Sequence, residues 1–575
     1  MTSRGAALGG LLGSAPGLVF GAWAVVQNPW FLDRPWLFLG LAVALPAAAL
    51  AALGALLDRR PAGRAQLLWL APLHAALLLL FWPRPGPDPV KLLVVGVDGA
   101  TFDVIDPMVA AGALPAFAAL QGAGDRTVLR SMEPMFSPLL WTTMATGKPP
   151  EQHGVRGFFT RSTDCRVPRL WDIAEDAGLR VGVYKWLVTY PPREVPGFMV
   201  PGWLAPSPET APSTLSFVKE LELANRLERR QVAARRGTVA LALAGIPHGL
   251  RFGTLWAAFR WKLTERLERP GTDDRQVAMQ RIRGQIDRDV FVHAVHAHQP
   301  DLATFTYYAT DGLAHRFWDA HAPGPDTPPA RVAAYGEAVR DAYRQADAIL
   351  GELMARVGPD TTVVVLSDHG FRAFRPGVDA APLVPLTERL QARLGAQLGR
   401  VQVARLGQKL TVTAEEASTD ALIEALAALV DGDGAPAYAW EPVPGAADTL
   451  GVELVVSARD AAALGAGTVG GEPLADYARL GEPTPGEHDG AGIFIAAGPG
   501  IEAGALPREA ALLDVAPTLQ ALLGVAPAQD LTGRVLLGDP RRGPESRDGL
   551  AERFRVEGGV EGVDVEALRA LGYLE

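Results

Sequence analysis

The sequence predicts an α/β fold with a mostly parallel sheet sandwiched by helices, preceded by about three transmembrane helices. Two observations lead there. Four short, continuous apolar runs alternate with helical patterns, and three separate apolar stretches near the N-terminus each approach the ~20 residues that cross a bilayer. With 575 residues the chain exceeds what one hydrophobic core usually serves, consistent with a membrane part plus a large domain carrying insertions.

The apolar stretches run from Gly5 to Leu32, from Pro35 to Leu57 and from Ala65 to Trp82. A signal peptide is the alternative for the first, but it lacks a strongly basic start and two further runs follow it. Trp30, Trp36, Trp69 and Trp82 stand near the ends of the runs, where an indole rests at headgroup level. Arg59, Arg60 and Arg64 between the second and third runs place that connector in the cytoplasm, so everything after Trp82 is expected outside it. The composition suggests a bacterial source, and the expected location is the inner membrane, multi-pass, with a periplasmic catalytic domain. Pro83 to Pro89 (PRPGPDP) reads as a stiff linker.

The four buried-strand runs are Lys91 to Val97, Leu302 to Tyr308, Thr361 to Leu366 and Gly492 to Ala496. The expected division is 1–83 membrane anchor, 84–90 linker, 91–204, 301–371 and 486–540 catalytic core, 205–300 helical cap, 372–485 second insertion with a small α/β character, and 541–575 tail. Within the first insertion, Gly237 to Leu267 mixes Leu, Phe and Trp with Arg251, Arg260 and Lys262. It is read as a cap helix packing its apolar side inward, with a bilayer surface as the alternative.

A net charge of -10 gives no basic excess for nucleic acid, so none is expected as an obligate partner. The lone cysteine, Cys165, excludes an intramolecular disulfide framework and a thiolate metal cluster. Any metal must therefore sit on oxygen and imidazole.

Polar residues of that kind cluster at strand ends. Asp98 follows the first run, Asp311 and His315 the second, Asp368 and His369 the third, and His488 precedes the fourth. Asp311 and His315 share one face if a helix begins after the strand. Three carboxylates and three imidazoles suit zinc, with manganese or iron as alternatives. Ligands in such sheets collect at the carboxyl ends of strands.

The blocks VDGATFDVIDPMVAAGALPAFAAL, SPLLWTTMATGKPPEQHGV, VTYPPREVPGFMVPGWLAP, TYYATDGLAHRFW, VVLSDHGF and EHDGAGIFIAAGPGI together resemble the type I phosphodiesterase and nucleotide pyrophosphatase branch of the alkaline phosphatase superfamily. Within it the likeness is to a bacterial group described as predicted phosphohydrolases or phosphomutases. The resemblance implies an alkaline phosphatase-like fold, with Asp98, Asp368 and His369 on one metal and Asp311, His315 and His488 on the other. It puts Ser137 at the nucleophile position, which is more often Thr. A cation lowers the pKa of such a hydroxyl, and two cations stabilise the attacking and leaving oxygens of an in-line displacement.

Two departures bear on specificity. Many nucleotide phosphodiesterases carry Asn three positions after the nucleophile, where this chain has Leu140, and Pro138 offers no backbone N–H. Lys185 and Tyr190 are candidate substrates contacts in compensation. Thr142, Thr143 and Thr146 are rival hydroxyls that fit better inside the helix after the nucleophile turn, and His153 reads as structural. His293, His296 and His298 read as helix-end and surface histidines rather than a further metal site. No Cys/Ser-x-Pro-x-Arg motif occurs at Cys165 or Ser137, which excludes a formylglycine sulfatase.

The expected function is a membrane-anchored two-metal phosphohydrolase cleaving phosphate esters, phosphodiester or pyrophosphate favoured, through a phosphoserine. The alternatives are a phospho-headgroup transferase acting on lipid or glycan, a phosphomonoesterase or phosphomutase, and a catalytically inactive membrane scaffold.

Overall fold

The computed structural model describes residues 88–555, apart from 156, 158–159, 229–237, 376–378, 380–382, 407–408, 443–448, 457, 459–460 and 482–483. The three expected membrane spans, and the tail beyond 555, lie outside the described residues. Among those described, no single helix is long and apolar enough to cross a membrane.

The centre is an eight-stranded sheet. Its strands are β1 (Leu92–Val97), β2 (Gly124–Arg130), β3 (Val181–Tyr184), β4 (Phe198–Val200), β5 (Leu302–Tyr307), β6 (Thr362–Leu366), β9 (Ala491–Ala497) and β10 (Glu509–Ala511), in the order β10-β2-β9-β6-β1-β5-β3-β4. Two shorter strands, β7 (Gly370–Ala373) and β8 (Gly486–Asp489), pair with each other beside it. All neighbours in the main sheet are parallel except β9, which runs against both β2 and β6.

The four apolar runs form the sheet's middle because their side chains are buried on both faces. In β1, Leu93, Val95 and Val97 enter one core while Leu92 and Val94 enter the other, as the two-residue period of a strand requires. The first face is covered by α1 (Phe102–Ala110), α2 (Pro115–Ala123), α8 (Thr272–His298), α9 (Ala309–His321) and α10 (Ala338–Met354). The second carries α3 (Ser137–Thr146), α4 (Leu170–Asp176) and α11 (Val515–Leu522). Strands β2, β3, β4 and β10 were not expected. β3, β4 and β10 have only three or four residues, although every residue of β3 and β4 is buried, and β2, GDRTVLR, carries charges at its partly exposed positions.

Segment 205–300 supplies α5 (Ser216–Glu228), α6 (Thr238–Gly245), α7 (Phe252–Glu268) and α8. Segment 372–485 builds a separate four-stranded antiparallel sheet from Val401–Leu406, Lys409–Ala414, Tyr438–Pro442 and Thr449–Leu454, with its own core around Leu390, Leu410, Leu422 and Leu450. Helix α7 departs from the expected inward packing. Leu255 meets the core, but Phe252, Trp256, Phe259, Leu263 and Leu267 are between 46% and 71% exposed.

Two buried histidines set an acid limit on this core. His153 accepts the Val155 N–H on Nδ1 at 3.0 Å and faces Thr143 Oγ1 through Nε2 at 3.1 Å, and burial pushes its pKa down to about 4. Burial first, then the neighbouring histidines 248, 296 and 298, push His293 down to about 3. Because the folded values lie below the unfolded one, the unfolded chain takes up protons first as pH falls. The stability is therefore intact above about pH 6.5 and is lost progressively toward pH 4, on the order of 2 to 3 kcal/mol for His153. Thermal unfolding in chelator at pH 7.5 and 4.5 is expected to show a lower midpoint in acid, with a shallower fall in His153→Gln; equal slopes would contradict it.

Candidate metal centre

Each proposed ligand is delivered by the end of a strand. β1 ends in Asp98-Gly99, and Gly99 takes φ +67 beside Phe371 and the Asp311 backbone, where a Cβ would come within 2.9 Å of the Phe371 ring. Only glycine fits that turn. β5 leads into α9, whose first turns carry Asp311 and His315 four residues apart on one face. Beyond β6, the Ser367 hydroxyl lies 2.8 Å from both the Ala100 and His369 carbonyls and accepts the Ile493 N–H at 3.1 Å, clamping the loop that presents Asp368 and His369. The β7–β8 ladder sets His488 opposite Phe371, two residues past His369.

The six side chains converge. Asp98, Asp368 and His369 form one group of potential metal-ligating atoms, and Asp311, His369 and His488 form a second. His369 Nε2 lies 3.4 Å from Asp98 Oδ1, 3.6 Å from Asp368 Oδ2 and 3.9 Å from Asp311 Oδ1. Asp311 Oδ1 is 3.4 Å from both His315 Nε2 and His488 Nε2, which are 3.0 Å from each other.

The hydrogen bonds fix which ring nitrogen faces inward. Nδ1 of His315 donates to the Gly486 carbonyl (3.2 Å), that of His369 to Gly370 (3.0 Å) and that of His488 to Met135 (3.0 Å). In the neutral rings every Nε2 is then a bare lone pair turned into the cluster. Two such lone pairs 3.0 Å apart repel unless a proton or a metal cation lies between them. Asp98 Oδ1, Asp311 Oδ1, both Asp368 oxygens and His369 Nε2 are buried without a hydrogen-bond partner, an arrangement costly for carboxylates unless a positive charge meets them. The donor set therefore fits divalent cations.

Without a metal, protons take the place of the cations. Burial, with the charges of Asp368 and Asp311 added, raises the Asp98 carboxyl well above the usual range. Burial acts the same way on Asp311, but His315 and His488 outweigh it and hold Asp311 low. Burial lowers His369.

Ser137 is buried and is the first residue of α3. Its hydroxyl makes no hydrogen bond among the described residues, whereas its rivals are occupied. Thr142, Thr143 and Thr146 donate to the carbonyls of Pro138, Leu139 and Thr142 at 2.7, 3.0 and 2.8 Å, the back-bonding of mid-helix threonines. Two contacts place the start of α3 at the cluster. The Met135 carbonyl, two residues before Ser137, accepts from His488, and Trp141, one turn after it, covers Gly96 near the end of β1, where a Cβ would lie 2.4 Å from the indole.

Lys185 and Tyr190 are placed differently from the ligands. Lys185 is buried, with Nζ 2.8 Å from Asp287 and 3.3 Å from Glu222, so its charge joins the helical insertion to β3. The Tyr190 hydroxyl meets Ser207 Oγ at 3.1 Å. Lys185→Ala is expected to strip the buried Asp287 of its cation, while Glu222 keeps Lys219 at 3.0 Å, at about 3 to 5 kcal/mol. The thermal midpoint should fall with KM nearly unchanged in the folded fraction; a large KM rise at unchanged stability would instead make Lys185 a substrate contact. Of the HAVHAHQP histidines, His293 is buried in α8 and His296 faces Asp88 at 3.3 Å; none joins a metal-ligating group among the described residues.

Sequence reasoning passed over Arg283. It is half-buried on α8, lines a cavity with Lys185, Trp203, Gln280 and Tyr308, and has no ion-pair partner among the described residues. In the sequence it is one arginine among many in the insertion.

The sequence profile of the type I phosphodiesterase / nucleotide pyrophosphatase family matches residues 92–445, more than half of the chain. No curated protein matches. Among solved structures, phosphonoacetate hydrolase from Sinorhizobium meliloti 1021, in complex with phosphonoacetate, is 17% identical, covering 75% of this chain and 95% of its own with a TM-score of 0.37. Human ectonucleotide pyrophosphatase / phosphodiesterase 5 is 14% identical, with 79% and 97% covered and a TM-score of 0.38. The inactive murine form in complex with AMP is 13% identical, with 76% and 96% covered and a TM-score of 0.38. With that profile matched over residues 92–445, the chain belongs to the type I phosphodiesterase / nucleotide pyrophosphatase family and is a phosphoric ester hydrolase.

Proposed function

We propose that this protein is a membrane-anchored, two-metal phosphodiesterase or pyrophosphatase of the bacterial inner membrane, working on the extracytoplasmic side through a phosphoserine at Ser137. The observation that carries the catalytic part is the convergence of two buried carboxylates, a half-buried third and three inward Nε2 atoms, several without any hydrogen-bond partner, beside the start of α3. The anchor and its orientation rest on the three apolar runs and the arginines between the second and third.

Asp98, Asp368 and His369 would hold one Zn2+, and Asp311, His315 and His488 the other, with Mn2+ or iron as alternatives. Such ions, when bound, supply Lewis acidity toward phosphoryl oxygens and lower the pKa of a nearby hydroxyl. Ser137 Oγ attacks phosphorus, the ester oxygen on the opposite side leaves with the bond's electron pair, and water then opens the phosphoserine to regenerate the hydroxyl. The first N–H groups of α3, at Ser137 and Leu139, have no intrahelical acceptor and give the helix start a partial positive charge, which favours a phosphate there. Leu140 leaves the phosphate without a side-chain amide at that position, so tight nucleotide selectivity is not expected.

The full chain in detergent is expected to hydrolyse chromogenic diesters faster than monoesters, and acid quenching during turnover of a labelled diester should leave phosphate on the peptide containing residue 137. Label on another residue, or on none, would overturn the covalent route. A second reading, transfer of a phospho-headgroup between lipids or to a glycan, is favoured by the exposed aromatic and basic residues of the cap. Thin-layer analysis separates the two, because transfer requires a product that depends on an added acceptor.

A further inference from the structure

The apolar residues left outside on α7 follow one helical face. Phe252, Trp256, Phe259, Leu263 and Leu267 are spaced by four, three, four and four residues, and all five are exposed. Trp256 and Phe259 stack on each other, ring centroids 5.6 Å apart, with no cover from the rest of the domain. Leu243 on the neighbouring α6 is exposed too. Arg260 and Arg266 flank the stripe, exposed and without carboxylate partners among the described residues.

The position of α7 in the fold says what this face meets. Asp88, the first described residue, donates its N–H to the Arg356 carbonyl at 2.9 Å and faces His296 of α8 at 3.3 Å. Arg251, at the root of α7, donates its N–H to Asp289 of α8 at 3.0 Å and its guanidinium to Glu352 of α10 at 2.9 Å. Asp289 lies two helical turns before His296, and Glu352 about one turn before Arg356, so the root of α7 stands on the order of 10 Å from the point where the linker joins the domain. The linker spans at most roughly 20 Å from Trp82 even as extended polyproline. The other end of α7 is tied by Glu265 to Arg275, 3.5 Å away, on the half of α8 whose Gln280 lies against Gly312, next to Asp311.

We propose that the outward face of α7, with Phe252, Trp256, Phe259 and Leu263 flanked by Arg260 and Arg266, docks on an anionic phospholipid bilayer, the one that holds the N-terminal apolar runs. This rests on the reading of those runs as an anchor. Aromatic rings enter the acyl boundary while arginines meet lipid phosphates. The bilayer would then touch the domain from the tether to the flank of the metal centre, so a phosphate ester borne by a lipid in that leaflet lies close to the site. A second copy suits the face less well: a two-fold contact repeats the same patch on both partners and brings unpaired arginines toward unpaired arginines. Spans buried in hydrocarbon do not reach a face outside it.

The test uses the full chain in phosphatidylcholine/phosphatidylglycerol vesicles, with benzoyl-phenylalanine at position 259 or, for comparison, at the exposed Val455 of the second insertion. Neither side chain belongs to a core, so neither change threatens folding. After irradiation, a lipid adduct on the peptide containing residue 259, several-fold above that at 455, supports docking. A covalent dimer, a cross-link to residues 1–83, equal yields at both positions, or no adduct in a chain that floats with the vesicles overturns the docking and leaves the anchor. A chain that fails to float overturns both.

Discussion

Ser137→Ala lowers diester turnover by roughly a thousandfold or more, with folding unchanged. The hydroxyl makes no hydrogen bond among the described residues, so its removal leaves no donor or acceptor unpaired, while the covalent route disappears entirely. Ser137→Thr keeps the nucleophile and should retain most of the activity. Thr142→Val and Thr143→Val separate this site from its neighbours, because those hydroxyls bond the carbonyls four residues back inside α3 and their loss should change turnover less than about tenfold. Steady-state rates with a chromogenic diester decide it. Equal rates for wild type and Ser137→Ala would remove Ser137 as nucleophile.

Chelation abolishes activity, zinc restores it, and Asp368→Asn changes stability in opposite directions in the two states. With free metal a thousandfold above its dissociation constant, binding to the folded chain adds about 4 kcal/mol, so the wild-type thermal midpoint should fall by several degrees in chelator. Stripped of cations, the wild type confines Asp98, Asp311 and Asp368 together, both Asp368 oxygens unpartnered, with Asp98 pushed upward by burial and then by Asp368. Asparagine at 368 removes one of those charges and relieves the repulsion. The variant should therefore match or exceed the wild type in chelator and fall below it in zinc, with activity lost. A variant equally destabilised in both conditions would mean that Asp368 serves packing rather than a metal.

The candidate ligands were legible because polar side chains gathered at strand ends leave marks that survive in one dimension. Asp98 directly follows an uninterrupted apolar run, Asp311 and His315 have the spacing of one helical turn, and Asp368-His369 closes another buried run. Arg283 and the outward face of α7 left no such mark. A half-buried arginine without a carboxylate has the same letters as one paired on the surface, and FGTLWAAFRWKL has apolar residues on more than one side, so periodicity favours no direction. Strands β2, β3, β4 and β10 also escaped, since a run of three or four residues, or one carrying charge, is too short or too mixed to read as a buried strand.

What the sequence determined by itself was the inventory and its order: an α/β core interrupted twice, a candidate nucleophile block between the first and the other three candidate ligand blocks, and three apolar runs before all of them. Tertiary structure decided which nitrogen of each histidine faces inward, that Lys185 is taken up by Asp287 and Glu222, and that the aromatic side of α7 lies in the open. The reason is physical. Local pattern reports the period of an element and the chemistry it carries, whereas protonation, pairing and exposure depend on partners up to hundreds of residues away, brought into reach only when the sheet closes its two cores.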